Sequence, residues 1–406
     1  MAVGDAAPAA DYPQLFRQML ARSVAAALAA FDPAGARLTE EERERSLYVL
    51  SLALEGDEAW APTRDLMLVI APLMETQGYR HAWIDYLEKG LAQAVKQDDR
   101  RAQARFHLHL ARLYQLMDDA ANSDLHLAAS RALAEAAGAA DVLVGVLDRL
   151  AAAAVDRSEF SLAQSYAEQV LAMVAPDDPA GAVAHHILGL IALRQARWDD
   201  AIAEYERVYA LRQRQNTSRF LAQALRDLGF AHRHAGNYAP AIAHYQRALE
   251  ILAASGDTYE FAVAQHDLGI VYWFIRDYAA ALACFRAVEP VFVKAGSLLS
   301  LARMYNNIGL VYRELGEVAP AQAALASSIQ LAERLEHHYE HANALDSLAM
   351  LHRQQGDLAA AIDAWDQALA SLARLPERPQ HLYGLIVERR RSAQIAAAQS
   401  GDAAPL

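Results

Sequence analysis

The chain has 406 residues, with 37 Lys and Arg against 50 Asp and Glu, for a formal net charge of −13. That balance excludes a general binder of nucleic acid or of an anionic membrane surface. The single cysteine, Cys284, excludes an intrachain disulfide and a thiolate metal cluster.

In chain order, residues 1–10 are small and polar and predict a disordered start, without the basic and apolar regions of a signal peptide. Tyr12 to Phe31 predicts an amphipathic helix ended by Asp32-Pro33. Thr39 and Glu42 predict a capping box opening a second helix to about Glu55, so residues 11–57 read as an N-terminal helical cap. No run approaches the roughly 20 apolar residues that span a bilayer, which predicts a cytoplasmic protein without a membrane partner.

One segment then recurs over residues 58–375. A small residue returns at Gly189, Gly229, Gly269, Gly309 and Ala349 in steps of forty, and earlier at Ala71, Ala111 and Ala151. Twelve residues after it comes alanine (Ala241, Ala281, Ala321, Ala361), and sixteen after it a bulky residue (Tyr245, Phe285, Leu325, Trp365). Small residues locked at fixed offsets in such a period predict a helical solenoid, two helices per copy. Within Leu225–Leu252, Gly236 suits a left-handed helix end, Asn237 is placed to cap the second helix, and Pro240 sits in its first turn. Pro72 and Pro290 are expected to break or bend their helices. Residues 175–181, rich in Pro, Asp and Gly, are the clearest interruption and read as a surface loop or a hinge. Past Pro376 and Pro379, residues 376–398 predict a C-terminal capping helix, and residues 399–406 should fray.

These residues carry a family resemblance. Leu268-Gly269-Ile270-Val271-Tyr272 with Ala281 and Phe285, and Ile308-Gly309-Leu310-Val311-Tyr312 with Ala321, resemble the tetratricopeptide repeat. The long period resembles the branch found in Pins-like adaptors, kinesin light chains and bacterial peptide-responsive regulators. The resemblance implies an all-α fold: a right-handed α-solenoid (superhelix) of antiparallel helix pairs, about seven to eight repeats with capping helices. It also implies a protein-binding scaffold or adaptor, or a bacterial signalling sensor whose superhelix changes shape when a peptide binds.

No phosphate-binding glycine loop and no Gly-x-Ser-x-Gly elbow occurs. His337 and His341 stand four apart, a spacing two metal ligands can use, but no third ligand follows at a convincing distance. His107 and His109, two apart, point in different directions on a helix. Cys284 reads as a packing residue. The expectation is a non-enzyme with no cofactor and no metal.

Chemistry is expected instead on the surface that stacked first helices share. Their core face is read at minus four, minus one, zero and plus three from the small residue. The opposite face is then at minus six, minus three, minus two, plus one, plus four and plus five. It collects Arg226, Phe230, Arg233, Trp273, Arg303, Asn306, Asn307, Arg313, Asn343 and Arg353. Arginines beside amides and an aromatic without a core duty predict a groove for an extended protein or peptide segment of acidic character. Self-association stays open.

Overall fold

A computed structural model describes residues 12–30, 39–56, 59–76, 80–117, 119–214, 218–375 and 379–400. The predicted start at 1–10, the breaks at Asp32-Pro33 and Pro376, and the tail beyond Ser400 lie outside these residues. Every regular element among the described residues is a helix, and none of these helices is long and apolar enough to cross a membrane.

The chain divides into two compact units, Met1–Ile191 and Ala192–Leu406. The first holds α1 (Tyr12–Ala30), α2 (Glu40–Ala53), α3 (Trp60–Thr76), α4 (Arg80–Lys96), α5 (Arg100–Gln115), α6 (Ala120–Ala137), α7 (Ala140–Asp156) and α8 (Phe160–Met173). A single 3-10 turn, Pro179–Gly181, follows in the loop read from the sequence, and the unit boundary falls inside α9 (Ala182–Arg194). The second holds α10 (Trp198–Gln213), α11 (Ser218–His234), α12 (Tyr238–Ser255), α13 (Thr258–Phe274), α14 (Tyr278–Lys294), α15 (Leu298–Leu315), α16 (Val318–Arg334), α17 (His338–Gln354), α18 (Leu358–Leu372) and α19 (Gln380–Ser400). In each unit consecutive helices pack as pairs, and the first helix of one pair also touches the first helix of the next: α3 on α5, α5 on α7, and α11 through α17 in the same way.

The repeat pattern has a direct steric cause. A Cβ added to Gly229 would fall 2.8 Å from Tyr245 Cε2, and one added to Gly269 would fall 2.7 Å from Phe285 Cε1. The small residue and the bulky residue sixteen positions later are thus two sides of one contact within a pair. Tyr245, Phe285, Leu325 and Trp365 are all fully buried there.

Local signals were met unevenly. Thr39 and Glu42 do close the capping box, the Thr39 hydroxyl accepting from Glu42 N while Glu42 accepts from Thr39 N. Asn237 stands at the N-cap of α12 but makes no side-chain cap bond; Asp277 and Asp357 do so at the equivalent starts of α14 and α18, as Asp257 does at the start of α13. Neither proline ends its helix. Pro72 lies inside α3 and Pro290 inside α14. Both prolines are exposed, while residues beside them in the same helices are buried: Ile70, Ala71 and Met74 in α3, and Val288 and Phe292 in α14. Tertiary burial on both sides outweighs the loss of one helical hydrogen bond.

Arg276 marks a strained turn. Gly236, Gly316 and Gly356 take left-handed φ of 79, 75 and 82° seven residues after the small position, where Arg276 must adopt 64°. Arg276→Gly is therefore expected to raise stability by about 0.5–1 kcal/mol, read as a higher guanidinium midpoint.

Candidate functional site

The first helices of the C-terminal unit, α11, α13, α15 and α17, present the predicted residues, but the exposed face is narrower than the sequence reading. At minus three, His266, Asn306 and Asp346 are buried, and at plus two so are Ala231, Val271, Val311 and Leu351. The plus-three residues taken as core, among them Tyr272 and Tyr312, are only partly buried. Each first helix packs against a second helix and against the next first helix, which covers more of its girth than one amphipathic stripe reveals.

Much of the arginine set is already engaged. Arg226 Nη1 donates to Glu260 Oε2 at 2.5 Å, and Arg226 Nη2 lies 3.5 Å from Asp267 Oδ2. Arg303 Nε donates to Glu340 Oε1 at 2.5 Å, and Asn343 Nδ2 donates to the same carboxylate at 3.4 Å. Asn307 Nδ2 is 3.0 Å from His266 Nε2; with the amide donating, His266 keeps its proton on Nδ1, which faces Asp267 Oδ1 at 3.6 Å. Burial would raise the Asp267 carboxyl, but His266 and the charges of Arg226 and Arg233 bring it below its ordinary value. These bonds join one copy to the next, since their partners lie 34 to 41 residues apart.

The remaining residues differ. Arg233 lies 4.8 Å over the Phe230 ring and 3.1 Å from His234 Nε2. Arg313 reaches only its neighbour Glu314, at 2.6 Å, and the exposed Arg353 lies 5.9 Å over the Trp365 ring. Phe230 is 37% exposed and Phe274 45%. Trp273, read as having no core duty, is partly buried and packs on the cluster around Phe285 and Phe292; its indole contacts Phe274 edge-on at 4.8 Å. Its length lets it cover its own pair while staying only partly buried. Four buried polar atoms on this face have no hydrogen-bond partner among the described residues: Arg226 Nε, Arg233 Nε, Trp273 Nε1 and Asn306 Oδ1.

Sequence reading missed Glu260 and Glu340. Both stand nine residues before a small position, one copy beyond the arginines they meet, and that shared offset was the available signal. It also missed a charge cluster in the N-terminal unit. There Glu75 is fully buried, 2.7 Å from His109 Nδ1 and 3.0 Å from Arg112 Nε. His107 points the other way, its Nδ1 2.8 Å from His126 Nδ1. His337 caps α17, accepting from Glu340 N, and His341 Nδ1 is 2.7 Å from Ser371 Oγ. Among the described residues no group of three or more His, Cys, Asp or Glu is arranged to hold a metal ion. Cys284 is buried, which pushes its thiol upward, and Gln265 lies 3.7 Å from its sulfur.

Two histidines are expected to lower the protein's stability in acid. Burial, with the charge of His126, pushes His107 down to about 4; burial, with the charge of Arg233, does the same for His234. Unfolded histidine titrates near 6.5, so between these values the unfolded chain binds protons that the folded chain refuses. Their stabilisation is complete above about pH 6.5 and is lost as pH falls toward 4. Discounted for solvent screening, this amounts to on the order of 1 kcal/mol per residue by pH 5. The denaturant midpoint is expected to drop between pH 7 and pH 5, less steeply in His107→Gln; equal slopes in the two proteins would remove His107 from the account.

The tetratricopeptide-repeat family model matches residues 179–254, 220–292 and 300–374. No curated protein matches the chain. Among solved structures, the apo form of RapI superposes with a TM-score of 0.60 at 14% identity, over 88% of this chain and 97% of that one. A signal-transduction ATPase of the STAND class with a tetratricopeptide-repeat sensor, from Pyrococcus horikoshii, gives 0.60 at 14% identity over 88% of this chain and 55% of that one. The apo quorum sensor NprR from B. thuringiensis gives 0.52 at 14% identity over 74% and 82%; NprR with its cognate peptide NprX gives 0.54 at 14% over 71% and 84%. At these identities the likeness is one of fold. Repeat model, paired helices and steric pattern agree over the matched residues: the segments 179–292 and 300–374 are built of tetratricopeptide repeats.

Proposed function

We propose that the inner face of α11, α13, α15 and α17 holds an extended segment of a partner protein or peptide, and that the chain acts as a non-catalytic adaptor. The observation that carries this is the set of buried, unpartnered polar atoms on that face, Asn306 Oδ1, Trp273 Nε1, Arg226 Nε and Arg233 Nε. A buried polar group left unpaired costs about 1–3 kcal/mol, and a segment's backbone N–H and C=O groups complement such donors and acceptors. NprR, a protein of similar fold, is solved with a peptide. The net charge of −13 supports neither nucleic acid nor an anionic membrane as partner, and a cytoplasmic, bacterial setting belongs to this same reading. A peptide sensor is the second reading, favoured by the division of the chain into two compact units; a ligand-induced change in small-angle scattering separates it from a passive adaptor.

Asn306 is a better probe than Asn307, whose amide is occupied by His266. A peptide selected on the full-length protein from a random library is expected to bind Asn306→Ala about 1–3 kcal/mol more weakly by calorimetry, with helix content unchanged. If Asn306→Ala and Trp273→Ala both bind it as the wild type does, the segment sits elsewhere and the proposal falls.

A further inference from the structure

Two lines of polar residues run across the inner face of the C-terminal unit, and they are in opposite electrostatic states. Along the first, toward the helix N-termini, each arginine is neutralised by an acid of the next copy, as Arg226 is by Glu260 and Arg303 by Glu340. Along the second, four residues beyond the small position and in the last helical turn, stand Arg233, Trp273, Arg313 and Arg353. Among the described residues, no carboxylate lies within 4.0 Å of Arg233 or Arg353, and Arg313 meets only Glu314 beside it in sequence. Arg233 and Arg353 instead have their guanidinium carbons 4.8 and 5.9 Å from the Phe230 and Trp365 ring centroids; Arg233 also meets His234, and both keep N–H groups for a further acceptor. Trp273 Nε1 and Arg233 Nε add buried donors with no partner on the same line.

We propose that this second line is a docking rail for an extended acidic segment with a fixed spacing: a carboxylate about every third residue, with an apolar residue in place of one of them. The proposal rests on the inner-face reading above and adds the partner's chemistry and register to it. Packed helices stand about 8–10 Å apart and an extended chain advances about 3.3 Å per residue, so one copy of the repeat matches about three residues of ligand. Read from Arg353 to Arg233, the rail takes acid, acid, apolar and acid on successive rungs, the apolar side chain meeting Trp273. A guanidinium accepts a carboxylate through paired N–H bonds, which makes spacing as well as charge selective. The first line, already neutral, contributes no such selection. An acidic partner thus belongs with Arg233, Arg313 and Arg353, and not with the paired Arg226 and Arg303.

The test selects a random dodecamer peptide library on the full-length protein and sequences the enriched peptides. The expected outcome is enrichment of Asp or Glu at spacings of three, with one apolar residue in the series. The same selection on Arg353→Glu should replace the terminal acid by Lys or Arg, and the wild-type peptide should bind that variant about tenfold more weakly. Enriched peptides without that spacing, yet weakened by Asn306→Ala, would sink the rail and keep the groove; the three arginines then serve only their helix C-termini. Enriched peptides indifferent to Asn306→Ala and Trp273→Ala, or no enrichment at all, would sink both.

Discussion

Trp365→Ala is expected to lower stability by about 3–5 kcal/mol, the largest effect of any single change considered for this chain. The Trp365 side chain is fully buried in α18, within the cluster that joins α17, α18 and α19. Its Nε1 donates to Asp346 Oδ1 at 2.8 Å, and the other oxygen of Asp346 accepts from Arg389 of α19. Alanine leaves a cavity and also strips a buried carboxylate of one donor. Because repeats are stabilised by their neighbours, the loss should loosen α19 as well as the α17–α18 pair. Trp365→Phe keeps most of the volume but not the N–H, and should cost about 1–3 kcal/mol. Guanidinium melts followed by circular dichroism decide it. A midpoint for Trp365→Ala equal to that of Trp365→Phe would show that the hydrogen bond, and not the volume, holds this end.

Gly309→Leu is expected to cost about 1–3 kcal/mol, toward the upper end, because there is no room for even one carbon. A Cβ at Gly309 would lie 2.6 Å from Leu325 Cγ and 3.4 Å from Ala321 O. Leu325 is itself fully buried, so it cannot move aside without displacing α16 from α15. Gly384 in α19 is the matched control, since a Cβ there would meet nothing within 4 Å. Gly384→Ala should stabilise by up to about 1 kcal/mol through helix propensity alone. Should Gly309→Leu unfold at the wild-type midpoint, the small position is not where the two helices meet.

These two positions show what was legible in the sequence. Gly309 and Leu325 lie sixteen residues apart within one helix pair, and the contact repeats down the chain at Gly229 with Tyr245 and Gly269 with Phe285. A close contact at a constant short separation leaves a periodic trace, and periodicity is what a single sequence displays best. Pairing of helices, the all-α class and the family resemblance follow from that trace. No break occurs at Pro72 or Pro290, because the local rule against proline ignores apolar packing from elsewhere in the chain.

The sequence by itself determined the repeat and its steric seam, and it nominated a set of polar residues on the first helices. Only the tertiary structure decided which of those residues are available. Arg226 and Arg303 are bound to Glu260 and Glu340 of the following copy and Asn307 to His266 of the preceding one, while Asn306, only 5% exposed, keeps its Oδ1 unpaired. Arg233, Arg313 and Arg353, of the same residue type on the same face, make no ion pair within 4.0 Å with an acid of another copy among the described residues. The periodicity of one helix shows which side of it is apolar. Whether a polar side chain on the other side is neutralised or buried depends on a neighbouring copy roughly forty residues away, whose facing side chains vary from copy to copy. That pairing is set by the stacking distance and by which acids are opposite, so it carries no period for a single sequence to reveal.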